Sequence, residues 1–349
     1  MGGSESLPEV ALTMDRVVLI TGGNTGIGYE TAKWIAMRGA RVIIACRSEE
    51  RANAVSVIKK NNAIERMQVE FKEEKSKGTP GLCSCETLAL EFMALDLASL
   101  KSVENFIDNF KAKEIKLHVL LCNAGIALHA QEYTEDGFEI MFQVNYLGHF
   151  LLVAKLLPLM LNSGEDCRLI FVSSEAYRAS SFDLDKAQGK HHTKENFKRI
   201  MYYANSKLYQ IMQMYVLNRQ LQKTNVTVNS LHPGIVETEI TRSFTDLQAW
   251  KVFLQLAKLV HVTKTPFEGA KTSITAAVNP QFKATRDAFF YDMKISQTNN
   301  LASPQIPTNT CISDRAIPTI LKQLYHIISQ EGFVPLSAIS IRGISAWRN

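Results

Sequence analysis

The chain of 349 residues is 46% hydrophobic and 21% charged, with a formal net charge of +5 at pH 7. That balance excludes a disordered, fibrous or disulfide-scaffold protein, and the length suffices for one large nucleotide-binding α/β unit. Basic and acidic residues are interspersed rather than grouped, so no nucleic-acid footprint is present and no nucleic-acid partner is expected.

The N-terminal stretch "MGGSESLPEV" has no apolar core and reads as a short leader over 1–15, not as a secretory signal. Gly2 and Ser6 also satisfy the pattern for N-myristoylation, the alternative to a plain leader; a single acyl chain gives only weak membrane association. From residue 16 onward, short β-branched apolar runs alternate with longer helical patterns. The strands are read at "RVVLIT" (16–21), "RVIIAC" (41–46), "LEFMALD" (90–96), "LHVLLCN" (117–123), "RLIFVSS" (168–174), "VTVNSLH" (226–232) and "AFFYD" (288–292). Runs so nearly unbroken suit strands buried on both faces. They predict an α/β fold, a doubly wound, seven-stranded, mainly parallel Rossmann-like sheet in a single domain over 16–302 with insertions.

Three segments interrupt this rhythm. The charged and then Gly/Pro/Ser-rich stretch 67–88, with "KEEKSKGTPGLCSC", reads as a surface insertion, and the polar stretch 175–199 as a long loop. From about 303, "SPQIPTNT" opens a C-terminal extension with a helical pattern over 312–330. The longest apolar run, "FLLVAKLLPLML" (150–161), contains Lys155 and Pro158 and is shorter than a membrane span, so no transmembrane helix is expected. Cys46, Cys83, Cys85, Cys122, Cys167 and Cys311 read as free thiols in a reducing, cytoplasmic setting, because the lone C-x-C pair lacks the second pair a zinc site needs. His129, His149, His191, His192 and His261 have no metal-like spacing, and no metal is expected.

The first strand runs into "TGGNTGIG" (21–28) and then a helical pattern. Gly22, Gly26 and Gly28 permit a tight turn and close backbone approach to a pyrophosphate, with Asn24, Thr25 and Ile27 completing a loop that ends at a helix N-terminus. The second strand ends in "ACRSEE". Arg47 and Ser48 offer donors to a 2′-phosphate where an NAD-specific site would place an acid, so NADP(H) is favoured over NAD(H). The alternative is an Arg47 that lies in solvent beside Glu49 or Glu50. Further along, "YYANSK" places Tyr203 and Lys207 four apart, one helical turn from each other on one face; Tyr202 is five from the lysine and points elsewhere. A tyrosine beside a fixed positive charge can serve as the acid that protonates an alkoxide.

Together "TGGNTGIG", "LCNAG", "VNYLGHF", "VSS", "YYANSK" and "HPGIVET" resemble the short-chain dehydrogenases/reductases. The resemblance covers about 16–302 and is strongest to the retinol dehydrogenase branch and the oxidoreductase domain of WW-domain-containing oxidoreductase, through "FKAKEIKLHVLLCNAG", "FQVNYLGHF" and "VSSEAYR". It implies Tyr203 as general acid/base and Lys207 holding the nicotinamide ribose. Ser174 would donate to the carbonyl oxygen with Ser173 as its neighbour, and Asn145 would hold a water that relays protons toward Lys207. It further implies adenine contacts at Asp96 and Leu97, contacts beside the adenosine ribose at Asn123, Ala124 and Gly125, and a nicotinamide clamp of Pro233, Gly234, Val236 and Thr238. Asn145 read without the family is a satisfied polar residue in a helix, and Pro233 and Gly234 are an ordinary turn.

Several features depart from the family pattern. No WW module precedes the fold, the leader lacks the apolar anchor common among the retinol enzymes, Cys122 stands in place of the first Asn of N-N-A-G, and the residues after 302 differ. After Thr238, the segment 239–262 carries Phe244, Trp250, Phe253 and Leu256, which either cover the substrate or pack into the core. The expected activity is interconversion of a small lipophilic alcohol, retinoid-like or steroid-like, with its aldehyde or ketone; a homodimer is compatible with it. The alternative is a non-catalytic dinucleotide-binding sensor or scaffold on the same fold. A methyltransferase-like protein would have no use for Ser174, Tyr203 and Lys207.

Overall fold

Each of the seven apolar runs forms a strand in a computed structural model of the protein, which describes residues 7–47, 63–181, 190–236 and 263–298. They are β1 (Val17–Thr21), β2 (Arg41–Cys46), β3 (Leu90–Ala94), β4 (Val119–Cys122), β5 (Cys167–Val172), β6 (Val226–His232) and β9 (Phe289–Tyr291). The sheet order is β10-β9-β6-β5-β4-β1-β2-β3. All pairings are parallel except the last hairpin, where β10 (Lys294–Ser296) runs antiparallel to β9. This eighth strand was not legible as one: three residues, with Ile295 exposed, carry no burial pattern. A separate two-stranded ladder joins β7 (Ile235–Val236) to β8 (Thr263–Lys264).

Alternation along β1 feeds two cores. Val18 and Ile20 face α1 (Gly26–Met37), α2 (Ala63–Ser76) and α6 (Pro266–Val278), while Val17 and Leu19 face α3 (Leu100–Lys111), α4 (Ile140–Leu161) and α5 (Arg199–Leu221). Helix starts follow local chemistry: Ser99 caps α3 by accepting from the Ser102 N–H, and Thr265 and Glu268 form a capping box with Pro266 at the first turn of α6.

The stretch 67–88 begins not as an insertion but as the greater part of α2: Met67 and Phe71, four apart, bury one stripe beneath the charged residues, leaving only the part after Ser76 as irregular chain. The apolar run 150–161 is the second half of α4, a helix of 22 residues that is long and apolar enough to cross a membrane by length and composition. Most of its apolar surface is instead buried against the sheet and α3. Of the cysteines, Cys46, Cys122 and Cys167 are free and buried as expected, whereas Cys83 and Cys85 are joined as a disulfide across the turn that follows α2, with Cα atoms 5.4 Å apart.

Between β1 and β4 the chain turns away from β1 in opposite directions, which opens a crevice at the carboxyl ends of the strands. The segments after β1, β4 and β5 all end there. Gly2, Ser6, Ser48, Glu49, Glu50, Thr238, the segment 239–262 with His261, and the extension with Cys311 lie outside the described residues, as does 182–189 of the polar loop.

Candidate active site

Residues 22–28 wrap the carboxyl end of β1. Gly22 and Gly26 have φ of +67° and +57°, a region that favours glycine. Gly28 has a different reason: a Cβ there would lie 2.5 Å from Asn123 Nδ2 and closer still to the Gly22 carbonyl oxygen. The Gly22 N–H donates to Ala45 O (2.7 Å), tying the turn to the end of β2, after which Arg47 stands exposed. Thr25 is the N-cap of α1 with extended backbone, and its side chain makes no capping bond, so the first N–H groups of α1 point into the crevice at the positive end of the helix. Asn24 and Ile27 flank this turn, half-buried.

Facing it is the segment after β4. The Thr21 hydroxyl accepts from the N–H groups of Asn123 and Ala124 (both 2.9 Å), and Asn123 Nδ2 donates to Thr21 O (2.8 Å) and Gly22 O (3.3 Å). The loop after β3 borders the same end of the sheet. Its Asp96 carboxylate accepts from the Ala98 N–H (2.9 Å), and Leu97 packs so tightly on α4 that a Cβ on Gly148 would lie 2.9 Å from its carbonyl oxygen.

Tyr203, Lys207, Ser174 and Asn145 converge from three elements. Ser174 follows β5 as the N-cap of a short 3₁₀ turn, its hydroxyl accepting from the Ala176 N–H (3.2 Å) and lying close enough to the Tyr203 phenol to draw its pKa down. On α5 the Lys207 Nζ lies 5.8 Å from the centroid of the Tyr203 ring and donates to Val172 O (2.9 Å). Ser173 fixes the same turn of α5 by donating to Lys207 O (2.9 Å). Asn145 sits in a π-helical turn (Gln143–Leu147) of α4; its Nδ2 donates to Ile126 O and Ser206 Oγ (both 2.9 Å), and its Oδ1 accepts from the Ile126 N–H (2.8 Å). Gly125 fills the gap between Asn145 and Lys207: a Cβ there would touch Asn145 Oδ1 at 3.2 Å and Lys207 Nζ at 3.4 Å. Tyr202 points away from this group; its ring stacks on Phe197 at 4.3 Å and its hydroxyl meets His192 Nδ1 at 3.0 Å.

Burial sets the electrostatics. Lys207, 3% exposed, is pulled from 10.5 down to about 8 by desolvation, partly offset by Cys122. Burial pushes the Tyr203 phenol above its ordinary range, and the Ser174 hydrogen bond draws it back. The phenol is therefore a proton donor at neutral pH. The Cys122 thiol, wholly buried, is also pushed up by desolvation.

On the other flank, Gly234 (φ +94°) follows Pro233 beyond β6, and Val236 in β7 packs against α6 so closely that a Cβ on Gly269 would meet it at 2.5 Å, with Ile27 of the glycine turn at 3.4 Å. Four contributors escaped the sequence reading: Thr21, His149, Ser206 and Gln210. His149 meets the Thr21 hydroxyl (2.9 Å) and Asn145 O (3.1 Å), and Gln210 Nε2 donates to the same carbonyl (2.8 Å). Only the spacing of four between Asn145 and His149 hinted at this.

The residues fit an elongated anionic dinucleotide. A turn in which Gly22 and Gly28 leave no room for a Cβ leads to uncapped helix N–H groups for a pyrophosphate, and Lys207 uses one of three protons on Val172 O, keeping two for hydroxyls.

The family model described as short chain dehydrogenase matches residues 16–77 and 67–184. Retinol dehydrogenase 14 of Homo sapiens is 38% identical over 280 residues, which cover 80% of this chain and 79% of that protein. Polyprenol dehydrogenase of Homo sapiens is 35% identical over 292 residues, 80% of this chain and 78% of that protein. WW domain-containing oxidoreductase of Gallus gallus is 37% identical over 283 residues, 79% of this chain but only 61% of that protein's length. Among solved structures, an uncharacterized protein from Mycobacterium paratuberculosis superposes with a TM-score of 0.55 at 27% identity, covering 81% of this chain and 82% of that one. An actinorhodin polyketide ketoreductase crystallised with NADPH gives 0.57 at 18% identity over 80% of this chain and 96% of that one, a likeness of fold alone.

Proposed function

The chain belongs to the short chain dehydrogenase family, and from that premise we propose that it is an NADP(H)-dependent oxidoreductase interconverting a lipophilic alcohol, retinoid-like or steroid-like, with its aldehyde or ketone. One observation carries the reading: Tyr203, with the Ser174 hydroxyl beside it, stands one helical turn from the buried Lys207 ammonium at the crevice. When bound, the dinucleotide supplies or accepts the hydride at the substrate carbon. Ser174 donates to the carbonyl oxygen as negative charge grows there. Tyr203 then transfers its phenolic proton to that oxygen, and Lys207 stabilises the phenolate left behind. Where NADPH is held in excess, the reaction runs in the reducing direction. The uncapped start of α1 binds the pyrophosphate, Arg47 the 2′-phosphate, and the residues Asn123, Ala124 and Gly125 border the adenosine ribose.

An apolar substrate is supported by what lies beside the acid: Tyr203 packs against a small apolar cluster of Met141, Phe197 and Tyr202, on which Ile126 and Met201 also pack. The relatives retinol dehydrogenase 14 and polyprenol dehydrogenase carry names of lipophilic alcohols. The test mixes purified protein with NADPH and a panel of apolar aldehydes and ketones while following absorbance. Wild-type protein is expected to oxidise NADPH with at least one of them, and Tyr203→Phe to bind NADPH but turn over at least about a hundredfold more slowly. NADPH binding without turnover, identical in both proteins, would instead establish the non-catalytic sensor.

A further inference from the structure

We propose that His149 is a positioning residue, a neutral imidazole protonated on Nδ1 that staples the dinucleotide-binding segment to the π-helical turn carrying Asn145. Counting protons assigns the tautomer. The Thr21 hydroxyl oxygen receives two N–H donors, from Asn123 and Ala124 at 2.9 Å each, which occupy both of its lone pairs. Its own proton therefore has to be given away, and the near acceptor is His149 Nε2 at 2.9 Å, the other being Leu121 O at 3.5 Å. With Nε2 accepting, the imidazole proton sits on Nδ1 and donates to Asn145 O at 3.1 Å. The opposite tautomer would bring a third donor to the Thr21 oxygen and set a bare Nδ1 against a carbonyl lone pair. An imidazolium fails on the first count as well.

The ring is wholly buried, and desolvation, reinforced by the nearby Lys207 charge and opposed by the Asn145 carbonyl, lowers it to about 4, so it stays neutral where the protein works. The end of β1 at Thr21, on which the segment after β4 is hung, is tied to the π-turn through this ring, beside the direct bonds of the Asn145 side chain to Ile126. The Asn145 carbonyl is held by His149 Nδ1 at 3.1 Å and by Gln210 Nε2 at 2.8 Å.

Histidine-selective ¹⁵N labelling and long-range ¹H–¹⁵N correlation of the imidazoles read the tautomer in the intact protein, with His149→Asn identifying the signals. The expected spectrum has a protonated Nδ1 and a bare Nε2, unchanged between about pH 5 and 8. A protonated Nε2, or titration near the ordinary histidine value, overturns the proposal. Dinucleotide titration by NADPH fluorescence gives the second readout. Thr21→Val and His149→Phe are each expected to weaken binding about tenfold, and the double variant no further than either alone, because both cut one chain of hydrogen bonds. Additive losses of about a hundredfold, or none, overturn it. Only this titration depends on the proposed function: if wild-type protein binds no NADPH, that function falls, while the imidazole spectrum still decides the tautomer. The same spectrum decides it if His149→Phe does not fold.

Discussion

Replacing Lys207 by Met should abolish activity and yet make the ligand-free protein more stable at neutral pH. The ammonium is buried, and its displacement from 10.5 to about 8 corresponds to about 3 kcal/mol by which the fold disfavours the charge. Met fills a similar volume and loses one hydrogen bond to Val172 O, which costs about 1 kcal/mol. The expected net gain is about 2 kcal/mol at about pH 7. Because the folded value lies below the unfolded one, the unfolded chain binds the extra proton between about 8 and 10.5, and wild-type stability rises with pH across that window. At about pH 9.5 the wild type has recovered about 2 kcal/mol, so the advantage of Met should shrink to near zero. Urea unfolding of both proteins at the two pH values measures this directly. A variant destabilised by the same amount at both pH values would refute the reasoning, since it would mean that the buried ammonium carries no desolvation cost.

Two further outcomes test the cofactor crevice. Gly28→Ala should weaken NADPH at least tenfold and lower stability by about 1 to 3 kcal/mol, because its Cβ overlaps the backbone of Gly22 and the Asn123 side chain; fluorescence titration and a thermal melt would show both. Arg47→Asp should weaken NADPH at least tenfold more than NADH, by loss of a charge-assisted contact with the 2′-phosphate, and equal effects in parallel titrations would remove the basis for preferring NADP(H).

What the sequence revealed depends on how local the signal was. The seven apolar runs were legible because strands buried on both faces need apolar residues at nearly every position, as in β1 and β5, where every residue is buried. The pair Tyr203 and Lys207 was legible because a helix turns spacing into proximity. Charged residues hid α2: Lys72, Glu73, Glu74 and Lys75 drew attention from the Met67 and Phe71 stripe beneath. The β7–β8 ladder of two residues each leaves no periodicity to read. Nor could the sequence show the hydrogen bonds that join Thr21 to His149 or Gln210 to Asn145, because partners separated by 128 and 65 residues meet only after the sheet and helices pack. The π-turn at Gln143–Leu147 has no compositional mark at all.

The central claim is that this crevice reduces a carbonyl with the phenol of Tyr203 as proton donor. Its most direct measurement is label transfer: NADPH carrying deuterium at the transferable C4 position is incubated with the protein and an apolar aldehyde or ketone, and the product alcohol is analysed by mass spectrometry. One deuterium on the carbinol carbon, with that product at least about a hundredfold slower to form in Tyr203→Phe, is the expected result. Label retained on the dinucleotide, or product formed equally fast by the Phe variant, would contradict it.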